Sequence, residues 1–258
     1  LVEIVFNMQL LALIISRTTA FFYHMPVLGG KYIPTVGKIA LGLSLSLVIF
    51  PLVPRPVIPS EGPFMIDFGI FVLKEVIVGL TIGLTVSLFI NGVRFTGRLI
   101  GRNMGLMMAN VVDPESGMNV SIMEQINYLF FLFIFLVLDG HYFLVKALVD
   151  SYSMVPVGGF TFHKDVIKLL VAMFNNILII GFTIGMPVFG ALIINTVMLG
   201  IVAKVVSKIR ILIISFPMRI MTGVLMLALT FSMIMGAYMT EYYKDVEVWI
   251  YKVIQAMY

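Results

Sequence analysis

Cysteine is absent from all 258 residues, and tryptophan occurs once. Without thiols there is no disulfide, no thiolate metal site and no cysteine nucleophile. Charge is scarce as well: Asp, Glu, Lys and Arg make up 12% of the chain, about half the share of an ordinary soluble domain. The 17 basic residues occur singly and in small groups, so the net charge of +4 builds no block suited to nucleic acid. Signatures of catalysis are missing too, with no H-E-x-x-H, no P-loop and no G-x-S-x-G elbow. The histidines His24, His141 and His163 lie far apart, each beside a loop. Asp139, two residues from His141, reads as a polar helix end before it reads as half of a polarised pair. These absences argue against an enzyme, and nothing implies a cofactor or a metal.

What fills the chain is apolar. Hydrophobic residues make up 60% of it, and the mean hydropathy is +1.09. A bilayer-crossing helix needs roughly 18 or more such residues in a row, and several stretches qualify. The expectation is an all-α, membrane-type protein of long, kinked helices and helical hairpins. Ile4–Tyr23 is the first apolar run; no small-residue cleavage site follows it, so it reads as a retained helix. Pro34 suits the first position of a second helix, which ends at Pro51. Residues 51–63 hold Pro51, Pro54, Pro56, Pro59 and Pro63 and read as a stiff loop. Phe64–Arg102 predicts a helix of about 58 Å, longer than a bilayer requires. Asn103–Asn119 reads as a loop, Ser121–Leu138 as a helix stopped by Asp139-Gly140, and His141–Tyr152 as a short amphipathic piece. Asp165–Val206, with Gly185-Met186-Pro187 inside, and Ile211–Met239, with Pro217 inside, form a long hairpin around the basic turn Ser207–Arg210. The tail, Glu241–Tyr258, has amphipathic spacing. With about six crossings, the basic connections fall on one side and both ends on the side away from the cytoplasm.

Four patterns mark candidate functional residues. Gly79 and Gly83, Gly97 and Gly101, and Gly181 and Gly185 repeat at four-residue spacing, which lets two helix backbones approach. Their partner is another helix of the same chain or a neighbouring subunit. Arg94, Arg98 and Arg102 share one helix face, either a solvated end or a charged vestibule. Lys74 and Glu75 lie near the start of a span, where charge is costly unless paired, and Arg17 in the first apolar run is a candidate partner for Glu75. Methionine is abundant, with 19 copies, and Met104, Met107 and Met108 open the loop that Met118 and Met123 close. Unbranched, polarisable side chains seal irregular gaps and yield to varied surfaces.

In order along the chain, Arg17, Pro26, Ile33-Pro34, Glu75, Gly79, Gly83, Gly97, Gly101, Met104-Gly105-Leu106, Asp113-Pro114, Asp139-Gly140-His141, Ser151, Pro156, Asn195, Gly200 and Phe216-Pro217 resemble the FliR family of flagellar type III export-gate proteins. SctT of virulence secretion is the close relative. The usual proline-glutamine pair of the family's last turn is replaced here by Ser207-Lys208. The resemblance implies a non-enzymatic gate subunit in the bacterial inner membrane at the flagellar basal body. It implies FliP, FliQ and FlhB homologues as partners and unfolded export substrates as cargo. It also implies a FliP-like part over residues 1–160 and a FliQ-like hairpin over 161–258. The plug-like loop would be residues 105–123, with Met104, Gly105, Met107, Met108, Val111, Asp113, Pro114 and Met118 forming the seal. The main alternative is a secondary transporter or channel for a small solute, which an inverted repeat would favour; residues 1–129 and 130–258 share no such pattern. A scaffold that nucleates its partners is a third reading.

Overall fold

The computed structural model describes residues 2–25, 34–54, 64–106, 121–205 and 211–258. Among the described residues the regular structure is helical throughout. Eight α-helices follow in order: α1 Val2–His24, α2 Thr35–Ile49, α3 Phe64–Asn103, α4 Ile122–Val137, α5 Gly140–Met154, α6 Lys164–Val205, α7 Ile211–Ala237 and α8 Tyr243–Gln255. The protein is all-α and of membrane type. Five stretches are long and apolar enough to cross a membrane: Glu3–His24, Thr35–Leu52, Asp67–Asn103, Lys164–Lys204 and Ile214–Gln255. The bent pair α4–α5 makes a sixth if it counts as one span.

Helix boundaries follow local chemistry. Pro34 caps α2 in an extended conformation, and Pro51 converts its end into a 3₁₀ turn over Phe50–Leu52. Gly105 at φ +80° ends α3, with its N–H donating to the Arg102 carbonyl. Asp139 adopts φ 55° between α4 and α5, a left-handed conformation that aspartate tolerates better than most residues, and the two helices bend by 69° there. Pro187 and Pro217 lie inside their helices as the sequence places them, and α6 and α7 run on through them. Each proline removes one backbone bond, and the many that remain hold the helix together. A π-helical turn, Tyr238–Tyr242, joins α7 to α8. It packs three aromatic rings, with Tyr238, Tyr242 and Phe131 edge to face at 5.7–5.8 Å.

The chain divides into two compact units. Unit 1 comprises residues 1–89, 139–174 and 245–258. Its core holds Leu13, Ile14, Phe21, Leu144, Leu148 and Tyr152, all at most 1% exposed. α8 closes this unit as the amphipathic tail predicts: Val246, Ile250, Val253 and Ile254 are buried while Lys244, Glu247 and Lys252 face outward. Tyr251 of α8 donates to Asp150 of α5 at 2.7 Å. Unit 2 comprises residues 90–138 and 175–244. Its core gathers Ile100 and Met104 from the end of α3 with Val188, Phe189 and Leu192 of α6.

Candidate functional site

Unit 1 is organised around one buried charge. Arg17 of α1 and Glu75 of α3 are both 0% exposed and form a bidentate pair, Nε to Oε2 at 2.6 Å and Nη2 to Oε1 at 3.1 Å. The remaining guanidinium donors reach the Ser151 carbonyl at 3.1 Å, the Ser151 Oγ at 3.3 Å and the Val155 carbonyl at 3.0 Å. All five donors of the fork are therefore used. The guanidinium also lies 4.3 Å from the centroid of the Tyr152 ring, whose hydroxyl bonds Thr18 and donates to the Ile14 carbonyl. A charge in an apolar interior is tolerated on these terms and few others.

The same node grips the loop between α5 and α6. Glu75 Oε1 accepts the Gly158 N–H at 2.8 Å, and Lys74 Nζ donates to the Gly158 carbonyl at 3.2 Å. Adjacent residues of α3 thus hold the two sides of one residue's backbone. Gly158 sits at φ +79°, and a Cβ there would meet the Phe71 ring at 2.7 Å, so only glycine fits. Sequence reasoning missed this clamp. The Gly158-Gly159 pair signalled a turn, but a backbone acceptor leaves no side-chain signature.

The glycine strips pack inside the chain. A Cβ on Gly79 would collide with the Arg17 carbonyl, and one on Gly83 would reach the Phe21 carbonyl at 2.8 Å, so α1 crosses α3 on this strip. In unit 2, Gly97 faces the Met123 carbonyl and the Glu124 Cα at 2.7–2.8 Å, and Gly101 faces the Ser121 Oγ. Gly181 lies against Thr96, whose hydroxyl donates to the Gly181 carbonyl at 2.9 Å. Gly185 differs: its nearest neighbour is Phe189 on its own helix.

The arginine stripe runs along the same α3–α4 seam. Arg98 grips Glu124 with two bonds of 2.8 and 2.9 Å, its side chain 53% exposed and the glutamate 7%. One turn back, Arg94 lies 4.1 Å from the centroid of the Tyr128 ring. Arg102 is exposed, and no partner is seen for it among the described residues. The like charges are thus handled one by one, by a carboxylate, by a ring and by exposure. Asn127, which the sequence reading did not single out, donates from one Nδ2 to the Val93 carbonyl at 2.8 Å and to Tyr238 at 2.9 Å. A lone asparagine in a phenylalanine-rich helix was the available signal.

Of the seal residues, Met104 and Gly105 are described. Met107, Met108, Val111, Asp113, Pro114 and Met118 lie outside the described residues, as does the turn Ser207–Arg210. Met104 is 0% exposed. Its Cγ, Sδ and Cε occupy the space beside Gly223 of α7 that a Cβ would need, at 2.6–2.8 Å. Gly105 faces the Phe216 ring, with a Cβ placed 3.3 Å from it. Farther along, Asn195 of α6 donates to Thr222 of α7 at 3.0 Å. The start of the methionine segment is therefore rooted in packed helices. Chemically, the assembly holds buried charge and close-packed backbones. Among the described residues no His, Asp and Glu side chains group as metal ligands.

Comparison with known proteins places this arrangement. The profile described as bacterial export proteins, family 1, matches residues 8–244. The chain is 29% identical to the flagellar biosynthetic protein FliR of Bacillus subtilis (strain 168) over 227 residues, covering 86% of each chain. Against FliR of Escherichia coli (strain K12) it is 26% identical over 212 residues, 82% of this chain and 80% of that one. FliR of Aquifex aeolicus (strain VF5) is 25% identical over 248 residues, 93% of this chain and 94% of the relative.

Proposed function

The chain belongs to the bacterial export proteins, family 1, the family of the FliR flagellar proteins, and on that premise we propose that it is a core subunit of the flagellar type III export gate. At the coarser level it is a membrane-embedded component of flagellar biosynthesis and protein export. The finer reading is a non-enzymatic part of the conduit that unfolded flagellar proteins cross in the bacterial inner membrane. One observation carries it: the family match runs from residue 8 to residue 244.

The proposed conduit needs a seal that passes chemically varied chains and blocks ions when idle. Methionine side chains meet both demands, being apolar and flexible. In this reading the seal is the segment from Gly105 to Met118, with Met107, Met108 and Val111 as its apolar filling and Asp113-Pro114 as its turn. Met104, locked against Gly223, and Gly105, against Phe216, give the segment a fixed root. Residues 1–160 form the FliP-like part and 161–258 the FliQ-like hairpin, and homologues of FliP, FliQ and FlhB complete the assembly.

The test is complementation coupled to purification. A strain lacking its own copy, supplied with this chain, should secrete flagellar subunits and swim. A tag on this chain should bring down the FliP and FliQ homologues together. A monomer that purifies with a bound small solute, in a strain that secretes normally without it, would overturn the reading in favour of a solute transporter.

A further inference from the structure

Unit 1 contains a groove of about 400 Å³ between α1, α2 and α3 that the export reading does not use. Its volume falls in the ~300–1,000 Å³ range of small-molecule sites. Its floor is largely apolar, made by Ala20, Ile39, Val76 and Leu80, and the hydroxyls of Ser16 and Thr19, which also line it, donate to the Ala12 and Ile15 carbonyls of their own helix. One end is polar: Thr35 and Lys38 line it, with the Lys38 ammonium 5.9 Å from the centroid of the Tyr23 ring. Tyr23 lies at the end of α1 and Thr35 at the start of α2, so the polar end coincides with the end of the α1–α2 hairpin. That is where an apolar helix pair meets headgroups, and where tyrosine and lysine anchor. The outer face of α2 is mostly hydrocarbon, with Val36 77% and Leu47 61% exposed beside the exposed Ser44. An apolar slot with a cation at one end matches an amphiphile with an anionic head.

We propose that this groove binds an anionic glycerophospholipid, its phosphate on Lys38 and Thr35 and one acyl chain along Ala20, Ile39, Val76 and Leu80. Lys38 favours a phosphate with net negative charge over a zwitterionic headgroup, and the floor excludes water from the chain. The groove borders the Gly79 strip, where Ala20 lies against Gly79, but Arg17 and Glu75 do not line it.

The test uses the assembled complex in nanodiscs, with phosphatidylglycerol or phosphatidylcholine carrying the same photoactivatable acyl chain. Phosphatidylglycerol should label α1, α2 and α3 about fivefold more than phosphatidylcholine, the preference expected of one lysine at a headgroup. Lys38→Glu should abolish the preference and Lys38→Arg should keep it. Ile39→Trp, at a position 47% exposed and outside the core, should reduce labelling by both lipids. Equal labelling by the two lipids, or a preference that survives Lys38→Glu, overturns the proposal. So does competition by millimolar inorganic phosphate, which would mark a free-anion site, or absence of label in the complex, which would mean a neighbouring subunit fills the groove.

Discussion

Arg17 shows how one residue can be costly and indispensable at once. Its charge is buried at 0% exposure, and five hydrogen bonds replace the water it gave up. Removing one partner of such a pair strands the other, at a cost of about 3–5 kcal/mol, whereas replacing both with apolar residues costs far less. Arg17→Met and Glu75→Leu alone should each sharply lower the melting temperature of the purified protein, and the double variant should recover most of the loss. Single variants that melt like the parent would contradict the node. A second residue-scale contrast separates glycines that are needed from those that are free. Gly158→Ala forces φ +79° on a side chain and drives it into Phe71, so it should destabilise by at least ~1–2 kcal/mol. Gly236→Ala meets nothing within 4 Å and should stabilise α7 by up to about 1 kcal/mol. Thermal unfolding of the two variants side by side checks both signs.

Among the elements, α3 carries the heaviest duties. Within unit 1 its Gly79–Gly83 strip meets α1, and within unit 2 its Gly97–Gly101 strip meets α4. Gly97→Leu should push α4 away and break the Arg98–Glu124 pair. Because the chain has no cysteine, Arg94→Cys with Tyr128→Cys reports the seam cleanly, and the cross-link should form readily in the parent and fall severalfold with Gly97→Leu. Much of this element could be read in advance. Its ends, its length and its glycine faces follow from spacing and from the residues that break helices. What lay across each face could not, because a four-residue repeat gives a direction and no occupant. The Gly158 clamp and the Asn127 bond to the Val93 carbonyl were hidden for the same reason: backbone acceptors look alike in every sequence. The π turn at Tyr238–Tyr242 was invisible too, since tertiary packing of its rings, rather than local propensity, selects it. Pro187 and Pro217 were legible as interior residues of long helices, and each helix is long enough to spare the one bond its proline removes.

At the scale of the whole molecule, apolar surface is used for residence in a membrane and charge is used sparingly, for internal ties. Both fit a membrane-embedded component of flagellar export, and the family match extends over residues 8–244. In the proposed gate the methionine segment is a seal whose root is held by Met104 against Gly223. Gly223→Val should displace Met104 and loosen the seal without touching the segment itself, which an ion-leak assay on cells expressing the variant would register as partial leak. The most direct measurement is the ion conductance of the assembled complex, in planar bilayers or vesicles, with residues 105–118 deleted and the assembly verified by purification. Conductance well above that of the parent complex is the expected result. Conductance equal to the parent's, in a complex that assembles normally, would contradict it.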